Sequence, residues 1–150
     1  MSNENYMKTS DEPIIVEQSF NQSTEIVWNS ITEIGQMRQW YFENIPAFKP
    51  VVGFETQFNV LSEERNFLHM WKVTDVQPQK MIKYSWEFEE YPGKSTAAFE
   101  ILKENNQTKL RLTVEILEDF PDYIPEFKRE SCIAGWEYFI NNRLKEFLEK

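Results

Sequence analysis

Ile82-Lys83-Tyr84-Ser85-Trp86-Glu87-Phe88-Glu89 alternates apolar and polar residues without a break. A period of two is the mark of a strand with one buried face and one wet face. Upstream, Phe54, Thr56, Phe58 and Val60 alternate with Glu55, Gln57 and Asn59, and Phe67 to Val76 forms another such run that ends at Pro78. Downstream, Pro92-Gly93 reads as a turn. Ser95 to Lys103 then places Ala97, Phe99 and Ile101 on one face. Asn105-Asn106 turns the chain again, and Leu110, Leu112, Val114 and Ile116 oppose Lys109, Arg111, Thr113 and Glu115. Strands of this regularity joined by short turns predict an antiparallel meander.

The flanks complete the order. Ile14 to Phe20 reads as a strand, and Asn21 or Ser23 can cap a short helix through Ile31. Gly35 is expected to break that helix, and Gln36 to Phe42 to form a second helical turn before the 44–50 loop held by Pro46 and Pro50. At the far end Phe127, Ile133, Trp136, Ile140, Leu144, Phe147 and Leu148 recur at helical spacing. They predict one long helix of roughly 25 residues starting at Pro125, with Trp136 and Ile140 buried and Glu137 exposed. The fold class is α+β: a curved six-stranded antiparallel sheet wrapped around a long C-terminal helix, with two short helices between strands 1 and 2. Residues 1–12 are polar and read as a disordered tail, and 13–150 as one domain.

Composition narrows the function. The 150 residues carry a net charge of −9, which opposes nucleic-acid binding and docking on anionic membranes. The start of the chain lacks a signal-peptide pattern, and no apolar run is long enough for a membrane span, so a cytoplasmic protein is expected. One cysteine, Cys132, cannot form an intramolecular disulfide, and one histidine, His69, cannot build a His-rich metal site. Four isolated glycines give no phosphate loop. No metal, no cofactor and no catalytic residue is expected. The acidic clusters Glu89-Glu90 and Glu118-Asp119…Asp122 read as solvated loops. The unusual feature is 15% aromatic content, which makes either a solid core or a cavity walled by rings.

Four stretches carry a resemblance. Phe20-Asn21-Gln22-Ser23-Thr24-Glu25-Ile26-Val27-Trp28 is followed by Met37-Arg38-Gln39-Trp40-Tyr41. Val73-Thr74-Asp75-Val76-Gln77-Pro78 leads to Tyr84-Ser85-Trp86, and Gly135-Trp136 precedes Leu144-Lys145-Glu146-Phe147-Leu148-Glu149. In this order they resemble the AHSA1-like (activator of Hsp90 ATPase homologue) family of the START-like, helix-grip superfamily, also called SRPBCC. The resemblance spans about Ile14 to Lys150. It implies a sheet gripping the C-terminal helix around a hydrophobic cavity. Ser23 replaces the family's usual Pro, and Trp71 its common Gly; an inward Trp there should fill part of the cavity.

The function expected is non-enzymatic binding of a hydrophobic or aromatic small molecule, lipid included, between sheet and helix. The candidate binding residues are Trp40, Phe58, His69, Trp71, Tyr84, Trp86, Phe99, Leu112, Cys132 and Trp136. Gln18, His69, Tyr84 and Arg111 are candidate polar contacts, with His69 acting as a hydrogen-bond donor that orients the ligand. Cys132 otherwise reads as a buried inert thiol. Access is expected near the Pro46–Pro50 and Phe120–Pro125 loops. The alternatives implied by the resemblance are a partner of an Hsp90-type chaperone, or an enzyme like the cyclases and hydrolases of the superfamily.

Overall fold

The structure, a computed structural model, describes residues 5–149. Its elements run β1 (Ile14–Phe20), α1 (Thr24–Thr32), α2 (Ile34–Trp40), β2 (Glu55–Ser62), β3 (Arg65–Gln77), β4 (Met81–Phe88), β5 (Tyr91–Glu104) and β6 (Gln107–Glu118). A 3₁₀ turn (Pro125–Phe127) leads into the C-terminal helix. That helix comprises α3 (Arg129–Glu137), a π-helical stretch (Tyr138–Leu144) and α4 (Lys145–Leu148). The backbone stays right-handed helical through both junctions, at Tyr138 and Lys145. All six strands lie in one antiparallel sheet in the order β1-β6-β5-β4-β3-β2.

The expected meander, helices and helix-grip order are therefore present, and local chemistry explains most boundaries. Ser23 caps α1 by accepting from the Ile26 amide at 3.2 Å. Asn105 and Asn106 both take positive φ (46° and 72°), as a two-residue hairpin turn requires. Trp136 and Ile140 are buried and Glu137 is exposed, so the helix lays its apolar stripe on the sheet.

Four boundaries differ. The break between α1 and α2 falls at Glu33, which is extended, while Gly35 lies inside α2. Pro92-Gly93 is strand: Phe88 pairs with Tyr91, so the turn is Glu89-Glu90. The long helix starts at Arg129, because Lys128 is extended and the Pro125 turn is a separate piece. Residues 1–4 lie outside the described residues. From Asn5 onward the segment expected to be a disordered tail makes defined contacts: Tyr6 bridges to Lys128, and buried Met7 donates its amide to the Phe127 carbonyl at 3.1 Å.

Candidate functional site

Cross-strand register decides where the inward rings meet. Trp71 pairs with Trp86 and with Thr56, Val73 with Tyr84, and Phe99 with Ile82 and Leu112. Tyr41, at the end of α2, drops into this set. It stacks on Trp40 (centroids 4.5 Å, planes 1° apart) and on Trp71 (5.3 Å). Its hydroxyl lies 2.9 Å from that of Tyr84. Burial pushes both phenols well above the ordinary tyrosine pKa. This half of the grip is solid. Trp40, Phe58, Trp71, Tyr84, Phe99 and Leu112 are all buried in it, and the Trp71 ring occupies its middle.

β5 is different. Opposite Trp86 and Tyr84 it carries Ser95 and Ala97, and Val114 follows on β6. These small side chains leave a cavity of about 220 Å³ under the helix. Of the residues singled out from sequence, His69, Trp86, Cys132 and Trp136 line it, together with Phe42 and Phe139. Its far end is closed by a second cluster of Met7, Phe67, Phe120 and Phe127. Half-buried Ser62 and Glu126 and exposed Ser131 and Gly135 mark its mouth. Phe120 on the 120–125 loop borders the cavity; the Pro46–Pro50 loop does not, since Phe48 is packed into the solid half against Trp71 and Tyr84. Gln18 and Arg111 also lie away from it: Gln18 accepts from the Ser19 amide, and Arg111 pairs with Glu17.

Each polar group of the wall has a definite state. Glu126 accepts two hydrogen bonds from Arg65 (2.9 and 3.1 Å) and one from Ser62 (2.8 Å). Burial works to raise its pKa, but these bonds outweigh burial and hold it below the usual carboxylate range. The Cys132 thiol is pushed up to about 12 by burial, so it is protonated at neutral pH. Burial lowers His69 to about 4, against the hydrogen bond to Phe67. Its Nδ1 lies 3.0 Å from the Phe67 carbonyl, which can only accept, so Nδ1 carries the ring proton. The donor role expected for His69 is thus already used within the chain. Two acidic clusters expected to be merely solvated act as ties: Glu90 accepts from the Leu68 amide and Asn66, and Asp119 from the Thr9 amide.

The histidine makes a pH prediction. A folded-state pKa below the unfolded one means that the unfolded chain binds more protons in between, so stability rises with pH there. The window runs from about 4 to 6.5, and His69 is the only histidine. About 1.4 kcal/mol per pH unit gives a loss on the order of 3 kcal/mol on acidification. Urea unfolding at pH 7, 6 and 5 measures it; His69→Phe should flatten the slope, and equal slopes in both proteins would refute it.

A model of the family described as "Activator of Hsp90 ATPase homolog 1-like protein" matches residues 21–149. The chain belongs to this AHSA1 family. Solved structures agree on the fold. The Mll3558 protein from Rhizobium loti superposes with a TM-score of 0.78 at 17% identity, over 91% of this chain and 96% of that one. The Aha1 dimer from Colwellia psychrerythraea gives 0.71 at 21% identity, over 93% and 97%. DynU16, described as a putative protein in the dynemicin biosynthetic locus, gives 0.72 at 20%, over 93% of this chain and 48% of that one. No curated protein matches the sequence. Among the described residues no group of three or more His, Cys, Asp or Glu could hold a metal ion, and no helix is long and apolar enough to cross a membrane.

The wall residues not singled out from sequence include Phe42, Phe67, Phe88, Phe139 and the mouth residues Ser62 and Glu126. Phe67 and Phe88 were within reach, since each continues an inward alternation already assigned: Phe67 with His69 and Trp71, and Phe88 with Trp86.

Proposed function

We propose that the AHSA1 domain of this chain binds a small apolar, ring-containing molecule in this cavity and holds it without transforming it. The observation that carries the reading is the 220 Å³ space between helix and sheet, walled mainly by rings and floored by Ser95, Ala97 and Val114. An apolar cavity of about 150 Å³ already accepts benzene, so one- and two-ring compounds suit this one. The wall chemistry supports holding over reaction. The Cys132 thiol is protonated at neutral pH, the Glu126 carboxylate is bound by Arg65 and Ser62, and His69 is neutral and committed at Nδ1. A cytoplasmic setting goes with this reading, the lone Cys132 being free.

A thermal-shift screen of fatty acids, sterols and polyphenols, extended to one- and two-ring aromatics, tests it. A compound that binds only the folded state stabilises it by about 2.7 kcal/mol at a hundredfold excess over Kd. Small aromatics are expected to raise Tm and change the fluorescence of the wall residues Trp86 and Trp136. Sterols are expected to leave both unchanged. If no compound in the screen shifts Tm, the binding reading fails.

A further inference from the structure

We propose that the ligand of this cavity is a neutral aromatic molecule carrying a hydroxyl group, which donates to Nε2 of His69 and accepts from the indole N–H of Trp86. The inference rests on the cavity reading and adds the head-group chemistry. Charge is the first consideration. Glu126 is the only ionised side chain in the lining, and both of its oxygens accept from Arg65 or Ser62. A carboxylate ligand would therefore lose its water in a wall that, among the described residues, offers no free cation, since Arg65 beside it is already paired with Glu126.

The hydrogen-bond inventory is the second. The serine hydroxyls of the wall are spent as donors: Ser62 to Glu126, Ser95 to the Trp86 carbonyl at 3.3 Å, and Ser131 to the Pro125 carbonyl at 3.3 Å. His69 is only 6% exposed, and with Nδ1–H directed at the Phe67 carbonyl its Nε2 is left as a bare acceptor. Nε2 has no partner among the described residues. It is also not sealed in as the Trp71 N–H is, and the open space its ring borders is the cavity. The Trp86 ring lies 5.3 Å from that of His69 and lines the same cavity, and no acceptor among the described residues takes its N–H. A hydroxyl is the smallest neutral group that both donates and accepts. An ether can serve only Trp86. A carboxylate can serve only Trp86 and adds an unmatched charge.

Three probes of one ring size separate these cases: 2-naphthol, 2-methoxynaphthalene and 2-naphthoate, titrated calorimetrically into the full chain at pH 7. The naphthol is expected to bind about tenfold tighter than the ether, because a buried acceptor left unpaired penalises the ligand that cannot donate. The naphthoate is expected to bind weakest. In His69→Phe the advantage of naphthol over ether should vanish while the ether still binds. His69→Gln, whose amide oxygen restores an acceptor, should recover part of it. If His69→Phe does not fold, the ranking on the native chain decides alone. Ether or naphthoate binding as tightly as naphthol overturns the proposal and leaves the cavity reading standing. Failure of all three to bind overturns both.

Discussion

Replacing Trp71 with glycine is expected to lower stability by about 3–5 kcal/mol for the lost ring, plus up to about 1 kcal/mol for glycine inside a strand. For a chain of this size that is a fall in Tm of roughly 6–24 °C. The cost is high because the ring is enclosed on every side. Phe58 meets it edge-on at 4.9 Å, Tyr84 lies at 4.8 Å, Trp86 at 5.1 Å and Tyr41 at 5.3 Å. The space created would join the existing cavity, since Trp86 and Phe42 touch Trp71 and also line that cavity. The variant should then take larger ring systems than the native chain. Trp71→Phe separates ring from polar atom. The Trp71 N–H is the one fully enclosed side-chain polar atom without a partner among the described residues, so its removal offsets part of the lost area. That variant should stay within about 1.5 kcal/mol of the native chain. Chemical denaturation of both variants checks this; a glycine variant as stable as the native chain would show that Trp71 is not the plug.

The same residue shows how far the sequence could be read. Strand alternation, the Ser23 cap and the Asn105-Asn106 turn are local effects, and the structure repeats them. The inward direction of Trp71, Tyr84, Trp86 and Phe99 was legible for the same reason. Which of these rings pack solidly and which border open space depends on register between strands. The cavity exists because Ser95 and Ala97 fall opposite Trp86 and Tyr84, a pairing set by the position of the β4–β5 turn. The turn chemistry of Pro92-Gly93 points to the wrong place, since the chain reverses at Glu89-Glu90. Gly93 serves a distant contact instead: it takes φ +115°, and a Cβ there would lie 2.5–2.8 Å from the ring of Phe120. The expected helix start at Pro125 failed similarly, because Lys128 is held extended beside Tyr6, more than a hundred residues away in sequence. Sequence periodicity carries no trace of such contacts.

Alkaline pH is expected to unfold the protein steeply above pH 9 to 10. Burial raises the Cys132 thiol from 9.0 to about 12, and it raises Tyr84 and Tyr41 from 10.0. Each group therefore keeps its proton in the folded chain at a pH where the unfolded chain releases it. The folded state then binds more protons than the unfolded one, so stability falls as pH rises through the window above the unfolded pKa. Each group contributes up to about 1.4 kcal/mol per pH unit, and three together on the order of 4 kcal/mol per unit above pH 10. Integrated toward pH 13 that is on the order of 10 kcal/mol, the same size as a total stability of about 5–15 kcal/mol. Urea midpoints at pH 7, 9, 10 and 11 measure the slope, and two variants assign it. Cys132→Ala should remove the part that begins near pH 9. Tyr41→Phe with Tyr84→Phe deletes both members of the 2.9 Å hydroxyl pair, leaves no orphan behind, and should be nearly neutral at pH 7. Its alkaline slope should be reduced to the thiol's share. Tyr84→Phe alone is the control, since it strands the Tyr41 hydroxyl and should cost about 1–3 kcal/mol at pH 7. A native chain equally stable at pH 7 and pH 11, or a double variant that falls as steeply as the native chain, would mean that these phenols are not held in a dry core.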